Sequence, residues 1–152
     1  MNLPDGFQQT GASLSADGTT LYIVADKATP SVVYALNTSN GSTRWSYTLD
    51  AASNSIPAVD NLGQIHLCTK TGDYVVLSAE GELRYKKHLA DSVDGSPTIS
   101  EWGYSYFLGK DSAAGALKVY SVALPGVTSP AASAWSQYGP VSYTHLTLPT
   151  IR

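Results

Sequence analysis

Cysteine, methionine and charge are all scarce in this 152-residue sequence, which has one Cys, one Met and only 14% charged residues. A lone cysteine, Cys68, excludes an internal disulfide and any zinc site built from several cysteines. The formal net charge of −3 is spread along the chain with no basic stripe, so a nucleic-acid backbone has nothing to bind and no nucleic-acid partner is expected. No apolar run approaches the length of a membrane span, so no transmembrane segment is expected. The opening "MNLPDGFQQTG" also lacks the charged-then-apolar layout of a signal peptide. Sustained apolar spacing at a 3.6-residue period is missing as well, which argues against long helices. What remains, with 43% hydrophobic residues, is too apolar for disorder and suits a single globular domain.

What is present is repetition. The stretch "LNTSNGSTRW" (Leu36 to Trp45) returns as "LSAEGELRY" (Leu77 to Tyr85), pairing Gly41 with Gly81, Arg44 with Arg84 and Trp45 with Tyr85 at a separation of 40. Asn37 and Asn40 both open N-x-[ST] glycosylation sequons, but a sequon needs no echo, whereas a hairpin turn in a repeating unit does. The turn reading is therefore preferred. A second motif appears three times, as "SLSADGTTLYI", "PAVDNLGQIHL" and "PTISEWGYSYFL". Each places a short strand, a turn ending in Gly18, Gly63 or Gly103, and an alternating strand in that order.

A unit of about 40–45 residues with four short strands is the period of a β-propeller blade. Strands are expected near 12–15, 19–24, 31–36 and 43–49, then 56–60, 64–69, 73–78 and 82–89, then 97–100, 104–108, 116–122 and about 133–138. Alternation supports them: Trp45, Tyr47 and Leu49 share one face, and Leu83, Tyr85 and Leu89 repeat it. The expected fold class is all-β, three consecutive four-stranded antiparallel blades of a larger propeller of seven or eight. The parts are a lead-in at 1–10, blades at 11–49, 50–89 and 90–139, and a tail at 140–152.

The stretch "VYALNTSNGSTRW" resembles the repeat of the pyrroloquinoline-quinone-like (quinoprotein-like) β-propellers through Tyr34, Ala35, Leu36, Gly41 and Trp45, with Asn37 and Asn40 replacing the usual aspartate and threonine. The second copy keeps Leu77 and Gly81 and has Tyr85 for the tryptophan; the third, "KVYSVALPG…SAW", keeps Tyr120 and Trp135. The resemblance implies that the outer-strand tryptophan docks adjacent blades. It also implies a periplasmic or cell-surface location. Most members are not enzymes, but the dehydrogenases among them hold a quinone and a calcium ion near an aspartate base. Their adjacent cysteine pair is absent here.

The residues that could carry chemistry have plainer explanations. Asp17, Asp60, Glu80 and Glu101 all sit at turns, where acidic neighbours of glycine are common. His66 and Cys68 on "QIHLCT", with His88 at the end of "RYKKHL", are too few for a zinc site, which needs three or four ligands. Cys68 as a nucleophile would need a base and an electropositive pocket. Lys86, Lys87 and His88 read as a solvated strand edge. No catalytic, cofactor-binding or metal residue is assigned, and no cofactor is expected.

After "SAWSQYG" the pattern stops. Pro140 through Thr150 resembles the conceptual translation of a transposase-type sequencing adapter, with Ile151 and Arg152 following it; this implies a bacterial gene read from a fragmentary metagenomic assembly. His145 then loses any claim as a ligand. The reading that emerges is a noncatalytic binding or scaffold propeller fragment of the bacterial cell envelope, with an unknown protein or ligand partner and self-association through uncapped blade faces. Alternatives are an incomplete quinone- and calcium-dependent dehydrogenase, and the propeller domain of a surface sensor or carbohydrate-associated protein.

Overall fold

The computed structural model describes residues 9–26, 29–133 and 136–137. Among these the fold is all-β, with three antiparallel sheets following one another along the chain. The first contains β1 (Gln9–Leu14), β2 (Thr20–Ala25), β3 (Val32–Asn37) and β4 (Thr43–Thr48) in sequence order. The second contains β5 (Ala58–Val59), β6 (Ile65–Cys68), β7 (Asp73–Leu77) and β8 (Leu83–His88), again in sequence order. The third contains β9 (Thr98–Ile99), β10 (Tyr104–Asp111) and β11 (Ala116–Ala123). These up-and-down sheets are propeller blades, each starting at its inner strand, which is only two residues long in the second and third.

Turn chemistry sets the hairpins. Gly18, Gly63 and Gly103 each close the turn between the first two strands of a blade with φ of 68°, 77° and 73°, a region that L-residues with side chains avoid. Asp17 completes the first of these turns: Oδ1 accepts from the Thr19 amide at 3.0 Å and from Ser15 Oγ at 2.6 Å. These bonds hold its carboxyl down at about 2.

Alternation along each strand then builds the core. From blade 2, Val59, Ile65, Leu67, Val75 and Leu77 face blade 1 and pack with Tyr22, Val24, Val33 and Ala35. Cys68, Tyr74 and Val76 point the opposite way and pack with Phe107 of blade 3. The inner strands β5, β6 and β7 of blade 2 are thus buried on both faces, while β8 is exposed along its length. Across the second seam the rings of Tyr74, Phe107 and Tyr120 stack in a row, with centroids 5.5 and 5.4 Å apart. On the far face of blade 3, Tyr104, Tyr106, Leu108, Leu117 and Val119 are exposed.

Two expectations need adjustment. In β8, Leu83 and Tyr85 are both exposed, so they do not repeat the covered face of Trp45 and Tyr47; the next blade leaves open space beside them. The fourth strand expected near 133–138 lies partly outside the described residues. Its described residues Ser133, Ser136 and Gln137 bond to the inner strands of the three blades, and not to β11.

Candidate functional site

The repeat residues are spread over the seams and do not converge on one centre. Trp45 lies opposite Ala35 in β4 and reaches across to blade 2, where its Nε1–H donates to the Ala79 carbonyl at 2.8 Å. Its indole covers Gly81, at φ 87°; a Cβ added there would lie 2.6 Å from the ring. The structure therefore brings Trp45 and Gly81 together. Leu36 and Leu77 are buried in β3 and β7, while Gly41 turns the chain between β3 and β4 at φ 72°. Tyr34 sits in β3, half-buried, in register with Ile23 and Ser46. Tyr120 lies in β11 against Phe107, and Trp135 falls outside the described residues.

Tyr85 occupies in blade 2 the place of Trp45 in blade 1, but it does not fill the seam. Its ring edges Tyr74 at 6.4 Å and borders a cleft of about 340 Å³ lined by Gln64, His66, Val76, Val122 and Leu124.

Beneath this cleft is a buried polar relay that sequence reasoning missed. Asp60 and His66 are 0% and 1% exposed, with Asp60 Oδ2 2.9 Å from His66 Nε2 and the Tyr74 hydroxyl 2.8 Å from His66 Nδ1. Asp60 also closes its own turn, its Oδ1 accepting from the amides of Leu62 at 2.8 Å and Gln64 at 2.9 Å. Burial pushes the Asp60 carboxyl up, but the hydrogen bonds from His66 and the turn amides outweigh it and hold the group below its ordinary value. Burial drives the Tyr74 phenol and the Cys68 thiol upward. The Ser105 hydroxyl lies near Tyr74 and opposes the shift, although its Oγ completes no hydrogen bond of ordinary geometry. Only the separations of Asp60, His66 and Tyr74, six and eight residues across two hairpins, hinted at this relay.

Both ring nitrogens of His66 are engaged within the relay. Cys68, protonated and buried, offers no thiolate. Exposed His88 pairs with Asp73 at 3.1 Å, and Lys86 pairs with Asp50 and Asp73. No three His, Cys, Asp or Glu side chains among the described residues are placed to hold a metal ion. No helix of the described residues is long and apolar enough to cross a membrane.

A different surface lies on the inner rim, where β1, β5 and β9 present their edges. There the segment that follows β11 returns across all three blades: Asn61 N–H donates to Ser129 O at 3.1 Å, Ala131 N–H to Val59 O at 2.8 Å, and Val59 N–H to Ser136 O at 2.6 Å. Ser133 Oγ donates to Leu14 O at 3.1 Å, and Gln137 Oε1 accepts from the Ile99 amide at 2.7 Å.

Three sequential up-and-down blades with a stacked seam define a β-propeller segment. Residues 31–103 match the family described as outer membrane protein assembly factor BamB. Over that stretch the chain carries repeats of the PQQ-like β-propeller type. Among solved structures it is similar to BamB from Moraxella catarrhalis, with TM-score 0.61 and 15% identity over 80% of this chain and 35% of that one. It is also similar to a europium-containing methanol dehydrogenase, with TM-score 0.60 and 20% identity over 83% of this chain and 26% of that one. The chain thus spans about a third of the first and a quarter of the second. No curated protein sequence matches it.

Proposed function

We propose that this chain is a noncatalytic binding or scaffold segment of a propeller protein of the bacterial cell envelope. The observation that carries the reading is the use to which its reactive side chains are put. Asp60, His66 and Tyr74 close one another off inside a seam, and Asp17 is consumed by its turn. Convergent free oxygens, which a calcium ion requires, are not what these groups supply. The description of the matched family as an outer-membrane assembly factor supports the envelope assignment. Its partner is a protein or ligand met through the propeller surface. The exposed apolar face of blade 3 gives the isolated chain a route to self-association, since it groups Tyr104, Tyr106, Leu108, Leu117 and Val119 on one sheet.

The test is an oxidation assay on the purified chain with added quinone, calcium ion and an electron-accepting dye, offering alcohols and sugars. No turnover is expected. Saturable quinone binding together with dye reduction would move the chain to the dehydrogenase reading. Sedimentation over a range of concentrations should show association that Leu108→Lys weakens; a monomer at all concentrations would remove the self-association claim.

A further inference from the structure

β5 is two residues long and pairs with β6 along one edge only. Its other edge is taken by residues 129–131, with Asp60 and Pro130 forming an antiparallel bridge. Asn61 clamps this addition: its Oδ1 accepts from the Thr128 amide at 3.0 Å and the Ser129 amide at 3.4 Å, while its Nδ2 donates to Thr128 Oγ1 at 3.2 Å. Most of these contacts read backbone, so they recognise an extended strand whatever its sequence. Side-chain selection comes from burial, because Ala131 enters the core between blades 1 and 2 and Ser136 is buried too. A large or charged side chain at the Ala131 position would have to displace that packing or be buried without a partner.

We propose that the inner edge of β5, with Asn61 as its clamp, is a recognition site for an extended polypeptide strand of small, uncharged residues. In this chain residues 128–131, with Ser136, occupy it as an internal occupant of the same chemistry. A partner protein bearing such a segment binds by displacing the internal strand and pairing with Val59 and Asn61 in its place. The inference rests on reading the chain as a binding module and names the partner that the module takes. The oxidation assay tests that reading by itself, so the two can fail separately.

The experiment uses the full chain and a fluorescein-labelled peptide with the sequence of residues 128–137, TSPAASAWSQ, followed by fluorescence polarisation. In the unmodified chain the tethered segment competes at an effective concentration of about millimolar, so the free peptide binds weakly. Ala131→Pro removes the amide that donates to Val59, and Ala131→Asp places a charge in the buried seat; either change in the chain should free the edge and tighten peptide binding by about tenfold or more. The same substitutions placed in the peptide should abolish its binding to both variant chains. Sheet circular dichroism identifies which variant keeps its fold, and one is sufficient. Equal affinity of a folded variant and the unmodified chain, or equal binding of the proline peptide, would overturn the proposal. Amide exchange on the unmodified chain supplies a further check: the Asn61 amide should be protected, and lose that protection sooner than neighbouring β6, because the internal strand leaves while the blade stays folded. Free exchange at Asn61 would show that the edge holds no strand and would sink the idea without any variant.

Discussion

Replacing Trp45 by alanine should be the most damaging single change at the first seam, and the geometry sets its size. Large aromatics bury about 150–250 Å². Trp45 is only partly buried, so about 120 Å² of apolar surface is a fair share; at about 25 cal/mol per Å² this is about 3 kcal/mol. The bond from Nε1 to the Ala79 carbonyl contributes about 1 kcal/mol more. Trp45→Ala should therefore cost about 4 kcal/mol, whereas Thr43→Ala, on the exposed start of β4, should cost well under 1 kcal/mol. Urea unfolding followed by circular dichroism gives both values without relying on tryptophan emission. Gly81→Ala places a methyl 2.6 Å from the indole and also strains a φ of 87°, so it carries two penalties in the native background. After Trp45→Ala only the backbone penalty is left. The second substitution must then be less costly by about 1 kcal/mol or more, as coupled neighbours show in a double-mutant cycle. Additive losses would mean that Trp45 does not rest on that turn, and the docking account would fail.

At the second seam, Tyr85→Trp should raise stability by about 1 kcal/mol by filling part of the cleft beside Val122 and Leu124; a loss of similar size would mean the space cannot admit an indole. Asp60→Ala should cost about 3–5 kcal/mol because it strands His66 and two turn amides, while Tyr74→Phe should cost about 1–2 kcal/mol for the single hydroxyl; equal losses in urea unfolding would argue against the relay. The folded carboxyl of Asp60 titrates below its ordinary 3.8, so its contribution is complete above that pH and is lost as pH falls through the folded value. Stability measured from pH 6 downward should therefore fall more steeply for the native chain than for Asp60→Asn; parallel curves would refute the assignment.

The fold was legible because it rests on signals only a few residues long. Strand alternation and turn glycines located all eleven described strands to within three residues of their ends; the largest departures are β1, which begins at Gln9 where 12 was expected, and β10, which runs on to Asp111 where 108 was expected. The relay was not legible for the opposite reason. Asp60 looks like any turn aspartate and His66 like any strand residue. Their meeting with Tyr74 depends on a register that pairs Ala58 with His66 and Cys68 with Tyr74, and no local pattern encodes that alignment. Tyr85 shows the limit of reading a repeat by residue type: the position matches Trp45, but a shorter ring facing a differently built turn leaves a cleft. The rim segment was also hidden, since "TSPAAS" reads as loop and its hydrogen bonds are to β5, some 70 residues earlier.

The reach of Trp45 has an evolutionary consequence. Its indole finds the Ala79 carbonyl only 34 residues downstream, so the joint is specified by one repeat and the opening of the next. A gene duplication that copies a whole unit carries both halves of such a joint with it, and the inserted copy meets familiar surfaces on either side. Ring size can then change by integral steps without redesign of a shared interior.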